Sequence, residues 1–152
     1  MLNEKKLELI ERIGVFHERR GMQPLMGRIL GLLLVLDEAE ATFDEIIEYL
    51  NVSKSAVSNA LNILQLQGHI AYKTKPGERK RYFYLTLDKW EEAMEKELCD
   101  ISLISSFMKD VLKERGNVKP DFNHNIKDIC NFMEFLRNRV PSLFKEFRKS
   151  QA

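Results

Sequence analysis

Ser55, Ser58, Asn59 and Asn62 share one face of a helical segment that contains no carboxylate from Ser53 to Gln67, with Lys54 beside its start. A short distance on, Lys73, Lys75, Arg79, Lys80 and Arg81 cluster around a Pro76-Gly77 turn with Glu78 as the one acid among them. Hydroxyls and side-chain amides can donate to phosphate oxygens or pair with base edges, and cations neutralise phosphate. A helix carrying Asp or Glu would be repelled there. The chemistry suggested is recognition of a polyanion.

The surrounding residues form elements able to present those groups. Thr42 is a cap with Glu45 three residues on, and Phe43, Ile46, Ile47 and Leu50 recur at helical spacing. Asp44, Glu45 and Glu48 are left to water. Asn51-Val52 make a turn, Ser53 caps the second helix, and Val57, Ala60, Leu61 and Leu64 form its buried side. Gly68 ends it. Two strands follow, His69 to Lys73 and Lys80 to Thr86, joined by Lys75-Pro76-Gly77-Glu78. This order predicts a winged helix-turn-helix, whose second helix enters a DNA major groove while the hairpin reaches the backbone or the next groove.

Longer helices are expected on either side. The first runs from about Asn3 to Arg20 with Leu2, Leu9, Ile10, Ile13 and Phe16 on one side, and Gly21 closes it. The next, from Pro24 to about Leu36, is apolar almost all round and forms the buried centre; Gly27 and Gly31 on it allow a close neighbour. After the hairpin, Asp88 caps a single helix to about Arg115, with Trp90, Met94, Leu98, Ile101, Ile104, Met108 and Val111 in series. A last helix spans Asn123 to Lys149, where Pro141 predicts a kink or irregular turn. The fold class is mostly α with a small antiparallel β-hairpin wing. Residues 1–22 are expected as an N-terminal dimerisation helix, 23–87 as the DNA-binding domain and 88–152 as a C-terminal helical dimerisation region. The apolar stripes at both ends exceed what one small domain covers, which argues for a twofold homodimer.

The run Leu50-Asn51-Val52-Ser53-Lys54-Ser55-Ala56-Val57-Ser58-Asn59-Ala60-Leu61, with Leu64, Gly68, Ile70 and Pro76-Gly77-Glu78-Arg79-Lys80, resembles the MarR-type transcriptional regulators. Pro24-Leu25-Met26-Gly27-Arg28-Ile29-Leu30-Gly31 is similar to the GbsR-like branch. One departure is that aligning on Leu85-Thr86 puts Gly77 where the common Asp-x-Arg wing has Asp; Glu78-Arg79 instead resembles the branch's Gly-Asp-Arg, with Glu for Asp. The resemblance implies a homodimeric bacterial regulator, a repressor by analogy, on a roughly palindromic operator in double-stranded DNA. Its contacts would come from Ser53, Lys54, Ser55, Ser58, Asn59 and Asn62 and from a wing tipped by Arg79. It also implies a small-molecule effector where the dimer helices meet the winged domain. Phe16, Trp90 and Phe107 read first as core aromatics; the other reading is that they line a junction pocket able to hold a quaternary ammonium.

Other classes find no support. The chain of 152 residues balances 24 Lys and Arg against 23 Asp and Glu, a net charge of +1, so any basic face is local. The start Met1-Leu2-Asn3-Glu4-Lys5-Lys6 does not read as a signal peptide, and the apolar run Ile29 to Leu36 is too short to span a bilayer, so a cytoplasmic place without membrane contact is expected. Cys99 and Cys130 read as packing groups, with a redox switch as the alternative; His17, His69 and His124 are scattered, and no metal or cofactor is expected. No phosphate loop, catalytic triad or carboxylate pair is evident, which leaves an enzyme reading without a seat. The alternative function is a winged-helix protein–protein interaction module, its wing cations meeting an acidic partner instead of DNA.

Overall fold

The computed structural model describes residues 2–151 and divides into two compact units, Met1–Leu87 and Asp88–Ala152. The first contains α1 (Glu4–Arg19), α2 (Pro24–Val35), β1 (Glu40–Thr42), α3 (Phe43–Leu50), α4 (Lys54–Leu66), β2 (Ile70–Thr74) and β3 (Arg81–Leu85). Its core joins Ile10 of α1 and Ile29, Leu32 and Leu33 of α2 to Ile46, Val57, Leu61, Leu64, Ile70 and Phe83. The apolar character of α2 on nearly every side is thus explained, since α1 covers one flank and the helix-turn-helix the other.

Small residues set the approach of α1 to α2. A Cβ on Gly27 would lie 2.9 Å from the Cβ of His17 and 3.0 Å from the carbonyl of Gly14, and one on Gly31 would lie 3.2 Å from the backbone of Ile10. Arg28 then bridges the pair, its guanidinium 2.9 Å from Glu11 and 3.6 Å from Glu18. The seam of α1 is Ile10, Ile13, Gly14 and His17, whereas Leu9 and Phe16, expected on that side, are exposed. With glycines opposite, the close-packed line follows the smallest residue on each helix and not the largest.

The expected two-stranded hairpin is a three-stranded antiparallel sheet in the order β1-β3-β2. The added strand pairs Glu40, Ala41 and Thr42 with Tyr84, Phe83 and Tyr82, while β2 pairs Ile70 with Leu85 and Thr74 with Arg81. Three residues are too few to display an alternating pattern, and their backbone needs are met only by the distant β3. Ala39, just before β1, takes a left-handed backbone (φ +52°), a conformation that costs an ordinary residue about 1–2 kcal/mol.

The second unit is α5 (Trp90–Ser102), α6 (Ile104–Arg115) and α7 (Pro120–Gln151), with both shorter helices packed on α7. Both of the helices expected after the hairpin differ from expectation. The single helix from Asp88 to Arg115 is broken at Leu103, where the hydroxyls of Ser102 and Ser106 donate to the carbonyls of Cys99 and Leu103; such back-bonding bends a helix. Asp88 does not cap it either, since Lys89 holds that place without a side-chain bond. The last helix begins at Pro120, a natural first-turn residue, and runs through Pro141 without an irregular turn. Asn123 fastens the link before it, accepting from Arg115 Nε (2.9 Å) and donating to the Gly116 carbonyl (2.8 Å).

Candidate nucleic-acid interface

The presenting helix is positioned by local chemistry at both joints. Thr42 and Glu45 form a complete capping box, the Glu45 carboxylate accepting from the Thr42 backbone N–H at 2.7 Å. Those bonds, the backbone one first, hold the Glu45 carboxyl below its ordinary pKa. Asn51 ends α3 in the left-handed region (φ +49°), and Ser53 Oγ accepts from the Ala56 N–H at 3.3 Å to start α4. Val57, Ala60, Leu61 and Leu64 are buried, which rotates Ser55, Ser58, Asn59 and Asn62 outward. In the hairpin, Glu78 N–H donates to the Lys75 carbonyl at 3.1 Å and Gly77 has φ +80°, the pattern of a type II turn with Pro76 leading.

Helix and hairpin enclose an open recess of about 400 Å³. Ser58, Asn62 and Gln65 of α4 form one wall, Arg79, Lys80 and Arg81 the other, and Phe43, Leu61 and Phe83 the floor. Among the described residues none of those three cations is in an ion pair. Arg81 is steadied by stacking, its guanidinium carbon 4.7 Å from the Tyr72 ring. Ser53, Lys54, Ser55 and Asn59 are exposed along α4 but lie outside the recess.

Lys73 and Lys75 are not brought to this recess. Their ammonium groups sit 2.5 Å and 2.6 Å from the two oxygens of Glu40, an acid the hairpin's local sequence does not reveal. Two lining residues escaped sequence reasoning. Gln65 lies three and seven positions beyond Asn62 and Ser58, so continuing their helical stripe would have found it. Asp44, in the first turn of α3, also lines the recess, which thus holds one carboxylate.

Of the three aromatics expected at an effector site, Phe16 belongs to one unit and Trp90 and Phe107 to the other. Phe16 is 57% exposed on α1, with His17 edge-on at 5.3 Å and the Arg20 guanidinium 5.6 Å away. Trp90 packs edge-to-face on Phe147 at 5.8 Å and borders an apolar groove of about 480 Å³ with Met94, Leu98, Leu143 and Phe144. Phe107, 70% exposed, does not line it. Cys99 and Cys130 are both free thiols, the latter buried. Among the described residues no cluster of potential ligands could hold a metal ion and no helix is long and apolar enough to cross a membrane.

The sequence pattern of the MarR family matches residues 21–81, from the end of α1 through the recess-lining cations. Over that stretch the chain is similar to the MarR family. This is a family of DNA-binding transcriptional regulators, not enzymes. The HTH-type transcriptional regulator MmpR5 of Mycobacterium tuberculosis is 23% identical over 134 residues, covering 88% of this chain and 81% of that protein. A crystal structure described as a transcriptional regulator superposes with a TM-score of 0.73 at 21% identity, over 95% of this chain and 99% of the other, which establishes the fold as one already seen in a regulator.

Proposed function

We propose that this chain is a homodimeric repressor of the MarR family that sets two copies of α4 into successive major grooves, about 34 Å apart, of a roughly palindromic operator. The observation that carries the reading is the recess itself, where Ser58 and Asn62 stand opposite three unpaired cations. A dimer is supported by the apolar side chains left exposed on α1 and on α5 to α7, among them Val15, Phe16, Ile104, Phe107 and Phe135. Pro24 to Gly31 favours the GbsR-like branch, and access to a chromosome implies a cytoplasmic place.

An electrophoretic shift with the DNA upstream of the chain's own gene, at two salt concentrations, tests the reading. The expected result is a complex that weakens steeply with salt and is lost in Arg79→Ala. No shift at low salt would replace it with a protein-binding module. The effector part rests on Trp90, the sole tryptophan, beside its apolar groove. Choline or betaine titration is expected to change its fluorescence and lower operator affinity; no change in either removes a quaternary ammonium from consideration.

A further inference from the structure

Glu40 lies on the face of the sheet away from α4, opposite Tyr84 of the central strand. From β1 its carboxylate reaches across β3, one oxygen meeting Lys73 of β2 and the other Lys75 at the start of the turn. Those ammonium groups stand over tyrosine rings of β3, Lys75 at 3.8 Å from the Tyr82 centroid and Lys73 at 5.7 Å from that of Tyr84. Glu78 closes the same face by accepting from the Tyr82 hydroxyl. The Glu40 side chain is only 10% exposed, in a recess bordered by Leu33, Leu34 and Leu87. A carboxylate so placed resists losing its partners, because it would be left desolvated and unpaired. The left-handed turn at Ala39 launches it into that position.

We propose that Glu40 is a positioning residue that sets the specificity of the interface, withdrawing two of the five hairpin cations from phosphate and fixing the hairpin so that Arg79, Lys80 and Arg81 alone face DNA. This rests on the DNA-binding reading above. The Glu40 carboxyl is held below its ordinary pKa first by the hydrogen bond from Lys73 and then by that from Lys75, and Lys75 is raised first by its bond to Glu40, in agreement with the geometry. The physical consequence is a lower background of sequence-independent binding, since each phosphate contact adds about 0.9 to the salt slope whatever the sequence.

The experiment compares full-length wild type, Glu40→Gln, Glu38→Gln, Lys73→Met/Lys75→Met and Lys80→Met on the upstream duplex and on a scrambled one, across a salt series. In Glu40→Gln the freed lysines are expected to steepen the slope on scrambled DNA by up to about 1.8 and to cut the preference for the upstream duplex roughly tenfold. Glu38→Gln makes the same change in charge but frees no lysine, and should alter neither by as much. The double lysine variant should keep the wild-type slope, while Lys80→Met flattens it by about 0.9. The proposal is overturned if Glu40→Gln matches Glu38→Gln, or if the double variant flattens the slope as much as Lys80→Met. Should Glu40→Gln fail to fold, the double variant decides alone. Those failures leave DNA binding intact, whereas wild type that binds neither duplex at low salt overturns both readings.

Discussion

The two units of this chain differ in how much of their apolar surface each can bury by itself. Met1–Leu87 gathers Ile29, Leu32, Leu33, Ile46, Val57 and Leu64 into one core from which water is excluded. Asp88–Ala152 buries Ile126, Cys130, Val140 and Phe144, but leaves Ile101, Leu103, Ile104, Phe107, Val111, Phe132 and Phe135 in water. A helix face with that many exposed large side chains is a surface in want of a cover. The first unit thus has one closed core, although α1 leaves Val15 and Phe16 exposed, and the helical unit keeps more of its large apolar side chains in water.

Breaking the complete core should have the largest effect. Leu64, fully buried beneath the presenting face of α4, would on Leu64→Ala lose about 2–5 kcal/mol of stability, seen as a lower urea midpoint and a weaker DNA shift although no exposed atom is altered. Phe135→Asp probes the other unit, at a residue 61% exposed. Its far-UV circular dichroism should stay near wild type while sedimentation shows the dimer dissociating at least about tenfold more readily, roughly 1.4 kcal/mol. A wild type that sediments as a monomer at micromolar concentration would abolish the contrast.

Smaller effects sharpen the same comparison. Ser53→Ala removes the bond to the Ala56 N–H and should cost about 1 kcal/mol, with the loss confined to α4 in amide exchange. The mildest is a pH effect at Glu45. Because the capping box lowers its folded pKa, the contribution is whole at neutral pH and fades as pH falls below the ordinary glutamate value of 4.5. Glu45→Gln should flatten the acid limb of the stability curve of Met1–Leu87, which urea midpoints at pH 6 and pH 3.5 would show.

Much of the helix-turn-helix and its hairpin was legible because the determinants are local. The capping box at Thr42, the cap at Ser53, the Pro76-Gly77 turn and the buried stripe of α4 each involve residues a few positions apart, and each is found where spacing puts it. What spacing did not reveal has the opposite character. The pairing of Lys73 and Lys75 with Glu40 was not legible, because that acid, more than thirty positions earlier, becomes their neighbour only when β1 joins the sheet. The apolar series across Trp90 to Val111 implied one helix because periodicity does not register two serine hydroxyls bonding backward onto the chain.

Composition and spacing alone determined the order of helices from α1 to α4, with a hairpin after α4 and a polar, cation-rich pole between them. Those features follow from hydrogen bonds and burial within a turn or two of each residue. Tertiary structure decided which cations remain free, that Gln65 and Asp44 join the recess, and which flank of α1 meets α2. Such outcomes depend on strand pairing and close packing between residues remote in sequence, whose mutual distances exist only once the core has formed.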